Sequence, residues 1–324
     1  MYDPVLITDF IADNVRKTRN PFGVPKTVLN TWQWGEGLPA DGDALLFTGL
    51  MYQFMPYIET TTAYLEEYED TDLARKIQAH PAVRNFPRYG KFVPNFLGGA
   101  GLSVFVHAKA AKEKRRTDKV LKDIVSLLRR SGVDVGYRPD LDEYSGILLY
   151  DLGDQENFVR HARKTARKLQ AAGVKKLITV DPHTTYALKV LYPKYTGISF
   201  DVAPYFQHLS LSPLNGGGEV ALHDPCFYGR YLEMSDGPRS VLSDVNIGCR
   251  EVRNCGAFTH CCGGPAESVS PRLSNEIMER RVAELRATGA PIVAMCPICH
   301  GNLKKSGADV QDLSTLLAAG AKKS

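Results

Sequence analysis

Short apolar runs, each opened by a turn and followed by a helix start, recur along this chain at matching intervals. Gly173-Val174-Lys175-Lys176-Leu177-Ile178-Thr179-Val180 leads into Asp181-Pro182-His183-Thr184, and Gly289-Ala290-Pro291-Ile292-Val293-Ala294-Met295 leads into Cys296-Pro297-Ile298-Cys299. Both read as a glycine turn, a short buried strand and a Pro-containing helix start. Before them, residues Gln155 to Ala172 and Ser270 to Thr288 carry apolar positions three or four apart among Arg, Lys and Glu, which predicts amphipathic helices. Tyr144-Ser145-Gly146 sits where Cys261-Cys262-Gly263 sits in the second copy. Ala44-Leu45-Leu46-Phe47-Thr48-Gly49-Leu50 parallels Val220-Ala221-Leu222-His223-Asp224-Pro225-Cys226. The pattern predicts an α/β fold of two pseudo-symmetric repeats, each a small mostly parallel sheet with flanking helices.

The expected organisation is an N-terminal docking arm over 1–40, a first repeat over 41–200 with an insertion at 63–119, and a second repeat over 201–324. The arm, which holds both tryptophans and Asn20-Pro21-Phe22-Gly23, shows no clear period and reads as extended chain docked on something. The insertion contains an apolar, glycine-interrupted stretch, Phe92 to His107, and ends in Lys109, Lys112, Lys114, Arg115, Arg116 and Lys119. This pairing could rest on a membrane face or a partner subunit. The plainer reading, a packed loop followed by a solvated helix face, is the one we favour.

With 324 residues the chain exceeds one ordinary core, which agrees with two units of roughly 100–200 residues. A net charge of +4 without an aromatic-interleaved basic stripe argues against nucleic acid. No apolar run approaches the roughly 20 residues of a spanning helix, and the N-terminus lacks a signal-peptide layout, so the expected location is the cytoplasm. The 7 cysteines all fall between Cys226 and Cys299. In a long chain without an export signal, an odd number of thiols points to metal or redox chemistry.

Cys226, the pair Cys261-Cys262 followed by Gly263-Gly264, and Cys296-Pro297-Ile298-Cys299 could converge if the strands before Cys226 and Cys296 are neighbours. Soft thiolates select zinc or iron–sulfur clusters. Five thiols exceed a zinc tetrahedron and an ordinary cubane, and an adjacent Cys-Cys pair suits separate irons better than one ion. A redox dithiol at Cys296 and Cys299 stays open, because a helix N-terminus lowers a thiol pKa. Cys249 and Cys255 read as buried structural cysteines. His223, His260 and His300 adjoin the thiols and could bond sulfur or donate protons, although an ordinary structural role is the plainer reading of each. Arg230 could stabilise negative charge there or steer an anionic thiol or carboxylate.

His223-Asp224-Pro225-Cys226-Phe227-Tyr228-Gly229-Arg230 with Gly237-Pro238-Arg239, then Cys261-Cys262-Gly263-Gly264-Pro265 and Cys296-Pro297-Ile298-Cys299-His300, resembles the cysteine-rich CCG domain. That domain occurs in heterodisulfide reductase subunits B and D and in related iron–sulfur subunits. Asn20-Pro21-Phe22-Gly23-Val24-Pro25 also resembles the stretch before the first such domain in those proteins. The resemblance implies a noncubane [4Fe-4S] cluster on Cys226, Cys261, Cys262, Cys296 and Cys299, with His223, Arg230 and His300 as catalytic candidates near it. Zinc is the alternative. The first copy departs, with Leu50, Tyr144, Ser145, Asp181 and Thr184 at the ligand positions, so it cannot hold a thiolate-ligated cluster, and chemistry that needs two clusters is put in doubt. The implied function is that of a heterodisulfide reductase-like oxidoreductase subunit acting in a complex. Its expected partners are a ferredoxin-type iron–sulfur subunit, a flavoprotein or a membrane cytochrome, the last placing it peripherally on the inner membrane face. A zinc-binding scaffold without catalysis and a pure electron relay are the rival functions.

Overall fold

Four consecutive buried residues, Ala44-Leu45-Leu46-Phe47, form the first strand, β1, and their lack of alternation is what a parallel strand covered on both faces requires. In the computed structural model, which describes residues 4–68, 99–214 and 217–320, β1 lies between β2 (Val135–Gly136) and β3 (Lys176–Thr179), with β4 (Asp201–Pro204) beyond β3. All pairings are parallel. A second sheet repeats that order: β5 (Gly218–His223) lies between β6 (Ile247–Cys249) and β7 (Ile292–Ala294), and β8 (Val310–Asp312) flanks β7, again all parallel. The α/β fold of two helix-flanked repeats expected from the sequence is the one observed.

The crossover helices form where the 3.6-residue pattern placed them. Gln155–Ala171 is capped by Asp154, which accepts from Asn157 N at 3.1 Å, and it buries Phe158, Ala162, Ala166 and Leu169. Pro271–Arg286 is capped by Ser270, which accepts from Leu273 N at 3.2 Å, and it buries Met278, Val282 and Leu285. Arg281 lies in the same buried stripe.

The expected extended arm is not extended over its described residues, 4–40. Pro4–Thr18 is a helix whose Ile11, Ala12 and Val15 enter the core formed by the first sheet and its helices, and Trp32 is fully buried against Tyr137. Ile7, Ile11 and Val15 are spaced four apart, a helical stripe that the further apolar residues Val5, Leu6 and Phe10 obscure in the sequence. The segment read as an insertion lies partly outside the described residues. Its described ends belong to helices, Met51–Tyr68 and the 32-residue Gly99–Arg130. Lys114 and Lys119 pair with Asp118 and Asp123 one turn on, as a solvated helix face would. Residues 92–98, and the side chains on to 110, lie outside the description, so the membrane or partner reading of Phe92 to His107 does too. Among the described residues no helix is long and apolar enough to cross a membrane.

One core runs through both repeats. Val120, Leu121, Ile124 and Leu128 of the long helix join Ile178 and Val180 of the first repeat to Val220, Leu222, Leu242, Val293 and Leu317 of the second. A second tie is polar: Tyr52 Oη donates to Asp312 Oδ2 at 2.7 Å, both groups buried.

Candidate functional site

β5 and β7 pair in register, with His223 opposite Ala294, so the chain leaves both strands at the same edge of the sheet, where ligands gather in parallel α/β folds. Cys226 follows β5 by a few residues. Cys296 is the extended N-cap of the helix Pro297–Lys305, and Cys299 lies in its first turn. Cys261 and Cys262 arrive on a loop that Gly263 turns in the left-handed region, at φ 88°. A Cβ on Gly263 would sit 2.3 Å from the Ser274 carbonyl oxygen, and one on Gly264 would sit 2.3 Å from Ile298 Cγ2 and 3.4 Å from Cys262 Sγ. Glycine at both positions lets the loop close onto the helix and the sulfurs.

The five thiols form one run of contacts: Cys226 with Cys261, Cys261 with Cys262, Cys262 with Cys299 and Cys299 with Cys296. All seven cysteines are free thiols. The Gly263 N–H points to Cys261 Sγ at 3.3 Å and the Gly264 N–H to Cys262 Sγ at 3.4 Å, both donors suited to thiolates. Hydrogen bonds from Cys226 and Cys262 pull the Cys261 thiol well below its ordinary pKa. Burial opposes ionisation of Cys296, but its bond with Cys299 and the nearby His183 outweigh that and bring it down as well. Cys226, Cys262 and Cys299 are pushed up, foremost by their bonds to neighbouring thiols. Five sulfurs this close can all be thiolates only with a multivalent cation among them. Soft donors, N–H groups aimed at two of the sulfurs and a cradle that any Cβ would fill suit an iron–sulfur cluster.

The surrounding motif residues are structural ties. Asp224, almost fully buried, takes both arms of Arg239 at 2.8 Å, accepts from Gly256 N at 2.7 Å, and its carbonyl accepts from Thr259 Oγ1 at 2.9 Å. The end of β5 is thereby fastened to the loop that delivers Cys261 and Cys262. Arg230 donates to the carbonyls of Ala257 and Thr259, bracing that loop. His300 turns away to Arg116, which donates to its Nδ1 at 2.7 Å. His260 is exposed and pairs with Glu284 at 3.3 Å. Of the three catalytic candidates, therefore, only His223 meets the thiols: a ring nitrogen of this fully buried residue lies within 4.8 Å of the Cys262 and Cys299 sulfurs. Cys249 and Cys255, expected to be buried, are half-exposed and lie beside Glu251 and Arg239 rather than in the run of thiols.

His183 comes from the first repeat, and no motif pointed to it. Its Nδ1 lies 3.7 Å from Cys296 Sγ and 3.8 Å from Asp181 Oδ1. Burial disfavours its charge, yet Cys296 and Asp181 outweigh the burial and raise it to about 9. Phe227 covers its ring at 4.6 Å, followed outward by Tyr186 and the exposed Tyr231.

The equivalent positions of the first repeat are filled. Gly146 repeats the turn of Gly263 at φ 89°. The Tyr144 hydroxyl accepts from Leu148 N at 2.7 Å, its ring packs on Phe54, and Leu50 is buried in the same core. Asp181 N-caps the helix Pro182–Tyr186 through Thr184 N at 3.0 Å, the place Cys296 takes in the second copy. Asp142 takes the fastening role of a buried carboxylate, accepting from Thr48 N, Thr48 Oγ1, Gly49 N and Tyr137 Oη at 2.6–3.1 Å.

Residues 220–304 match the family model described as a cysteine-rich domain, CCG, the domain that the cysteine motifs resemble. The chain is 28% identical over 228 residues to a probable membrane-anchored ferredoxin of Chromohalobacter salexigens, covering 63% of this chain and 34% of that protein. It is 28% identical over 202 residues to the EtfAB:quinone oxidoreductase of Syntrophomonas wolfei, 57% of this chain and 28% of that one. Over 179 residues it is 30% identical to a subunit of the dihydromethanophenazine:CoB--CoM heterodisulfide reductase of Methanosarcina barkeri, 48% of this chain and 43% of the relative. The chain thus spans less than half the length of each.

Proposed function

We propose that Cys226, Cys261, Cys262, Cys296 and Cys299 hold one [4Fe-4S] cluster of the noncubane kind, and that the chain is the iron–sulfur subunit of a heterodisulfide reductase-like oxidoreductase. The observation that carries this reading is the unbroken run of contacts among five sulfurs drawn from three separated stretches of chain. The relatives, named as a ferredoxin, a quinone oxidoreductase and a heterodisulfide reductase subunit, support an iron–sulfur redox role of this general type. Bound there, the cluster supplies one-electron chemistry and a thiophilic metal face. The protein's part is to place the five thiols, to direct the Gly263 and Gly264 N–H groups at two of them, and to set His183 against Cys296.

Electrons would pass between a partner redox subunit, of ferredoxin-type iron–sulfur, flavoprotein or membrane cytochrome kind, and a disulfide or thiol, a sulfur compound or a quinone. Such a partner or substrate would approach where Cys226 and Cys261 stay partly exposed, beside the aromatic tier that ends at the exposed Tyr231. Anaerobic purification followed by iron and zinc analysis and visible absorption tests the reading. A brown protein with iron in the proportion of one cluster per chain, which loses that iron in Cys262→Ser, is the expected result. A colourless protein with one zinc, or iron unchanged by Cys262→Ser, overturns it.

A further inference from the structure

His223 and Arg281 form a buried pair whose chemistry is fixed by which atom donates. Arg281 projects from the middle of the helix Pro271–Arg286 into the interior and is fully buried, an unusual place for a permanent cation. It donates from Nη1 to the Asn254 carbonyl at 2.8 Å and to Glu284 Oε2 at 2.7 Å, and from Nε to His223 Nδ1 at 3.0 Å. A guanidinium has no lone pair to offer and does not give up its proton in proteins, so His223 Nδ1 must present its own lone pair. The remaining ring proton then resides on Nε2. That nitrogen is buried and has no protein partner, while the sulfurs of Cys262 and Cys299 lie beside the ring.

We infer that Arg281 is a positioning residue that locks His223 as an Nε2–H donor toward the Cys262 and Cys299 sulfurs, making His223 a hydrogen-bond partner of the bound cluster and excluding it as a ligand. This rests on the cluster reading above. A histidine that ligates a metal offers one lone pair and donates its other N–H to an acceptor. Here the second nitrogen faces a donor, the opposite polarity, and coordination through Nε2 would require an imidazolate. The grouping of His223 with Cys262 and Cys299, which looks at first like a metal triad, is therefore two ligands and a donor. An N–H directed at a thiolate favours the more negative, reduced state, so this donor raises the reduction potential.

The test compares wild-type protein with His223→Leu, which cannot donate, and His223→Gln, whose amide can accept from Arg281 and still donate to sulfur. Each is purified anaerobically, assayed for iron, and titrated redoxometrically with paramagnetic resonance detection. With iron content equal, His223→Leu is expected to lower the reduction equilibrium constant about tenfold, 59 mV for a one-electron couple, and His223→Gln to restore most of it. Nitrogen couplings in histidine-labelled wild-type protein should be weak, as for a hydrogen bond. An unchanged potential in a fully loaded His223→Leu variant, or a strong coupling of directly bound nitrogen, overturns the inference and leaves the cluster reading standing. Absence of iron from the wild-type protein refutes the cluster reading itself.

Discussion

Replacing Gly263 with alanine separates the strain of a turn from the chemistry of the thiols beside it. Two costs add. A side chain at φ 88° enters the left-handed region, which disfavours L residues by about 1–2 kcal/mol. The new Cβ would also lie 2.3 Å from the Ser274 carbonyl oxygen, about 1 Å inside an ordinary carbon–oxygen contact of roughly 3.3 Å. Ser274 sits in the first turns of the helix Pro271–Arg286, and its hydroxyl donates to the Gly263 carbonyl, so neither side yields without losing that bond. Such overpacking costs about 1–3 kcal/mol, and the sum is roughly 2–5 kcal/mol out of the ~5–15 kcal/mol that holds an ordinary domain together. Gly146→Ala is the internal control, because its φ is 89° but the nearest atoms to its Cβ would be ring edges of His161 and Phe158 at 3.1 Å rather than a backbone oxygen at 2.3 Å. It should lose about 1–2 kcal/mol. Urea unfolding of the metal-free protein under reductant measures both, and iron retention measures the consequence for the thiol loop. Stability of Gly263→Ala within about 0.5 kcal/mol of wild type, or equal losses for the two variants, would refute the reasoning.

Asp224→Asn should cost about 2–4 kcal/mol, less than a fully broken buried pair because Arg239 keeps Glu251, and the reconstituted variant should release iron to a chelator faster than wild type. Tyr52→Phe strips a hydrogen bond from the buried Asp312 carboxylate and should cost roughly 2 kcal/mol; an unfolding midpoint equal to wild type would show that this tie between the repeats contributes nothing. Burial, only partly offset by its bond to the Tyr144 carbonyl, lowers the pKa of His161 to about 4. It is neutral in the fold and takes up a proton on unfolding, so its stabilisation is complete above about pH 6.5 and fades as the pH falls toward 4. Wild-type protein should therefore lose roughly 2 kcal/mol more than His161→Gln between pH 7 and pH 5, and parallel pH profiles of the two would exclude His161 as the source.

The two repeats and their sheets were legible because the buried parallel strands are short continuous apolar runs and the crossover helices carry strong stripes. The convergence of the cysteines followed from one topological step, adjacency of β5 and β7. The N-terminal helix is less legible because Val5, Leu6 and Phe10 lie off the Ile7, Ile11 and Val15 stripe and blur its period. His183 was invisible for a different reason. It serves the thiols of the other repeat, and no spacing within one repeat records a contact across the seam. Arg281 was likewise read as one more polar position on an amphipathic helix, since sequence periodicity places a residue on a face without showing what neutralises it. Arg230 and His300 are near the cysteines in sequence, but a helix or loop neighbour points elsewhere as often as it points in, here to the carbonyls of Ala257 and Thr259 and to Arg116.

The hydrophobic interior that runs unbroken through both repeats bears on any attempt to work with the cysteine-bearing half alone. A fragment beginning near residue 217 would part Val220, Leu222, Tyr228 and Leu317 from the half of their common core that Val120, Leu121, Ile124, Leu128, Ile178 and Val180 supply, and would remove His183 from beside Cys296 at the same time. The repeat without cysteines is thus one wall of a chamber whose sulfur comes from the other. Truncation should yield an aggregating polypeptide rather than a smaller redox module.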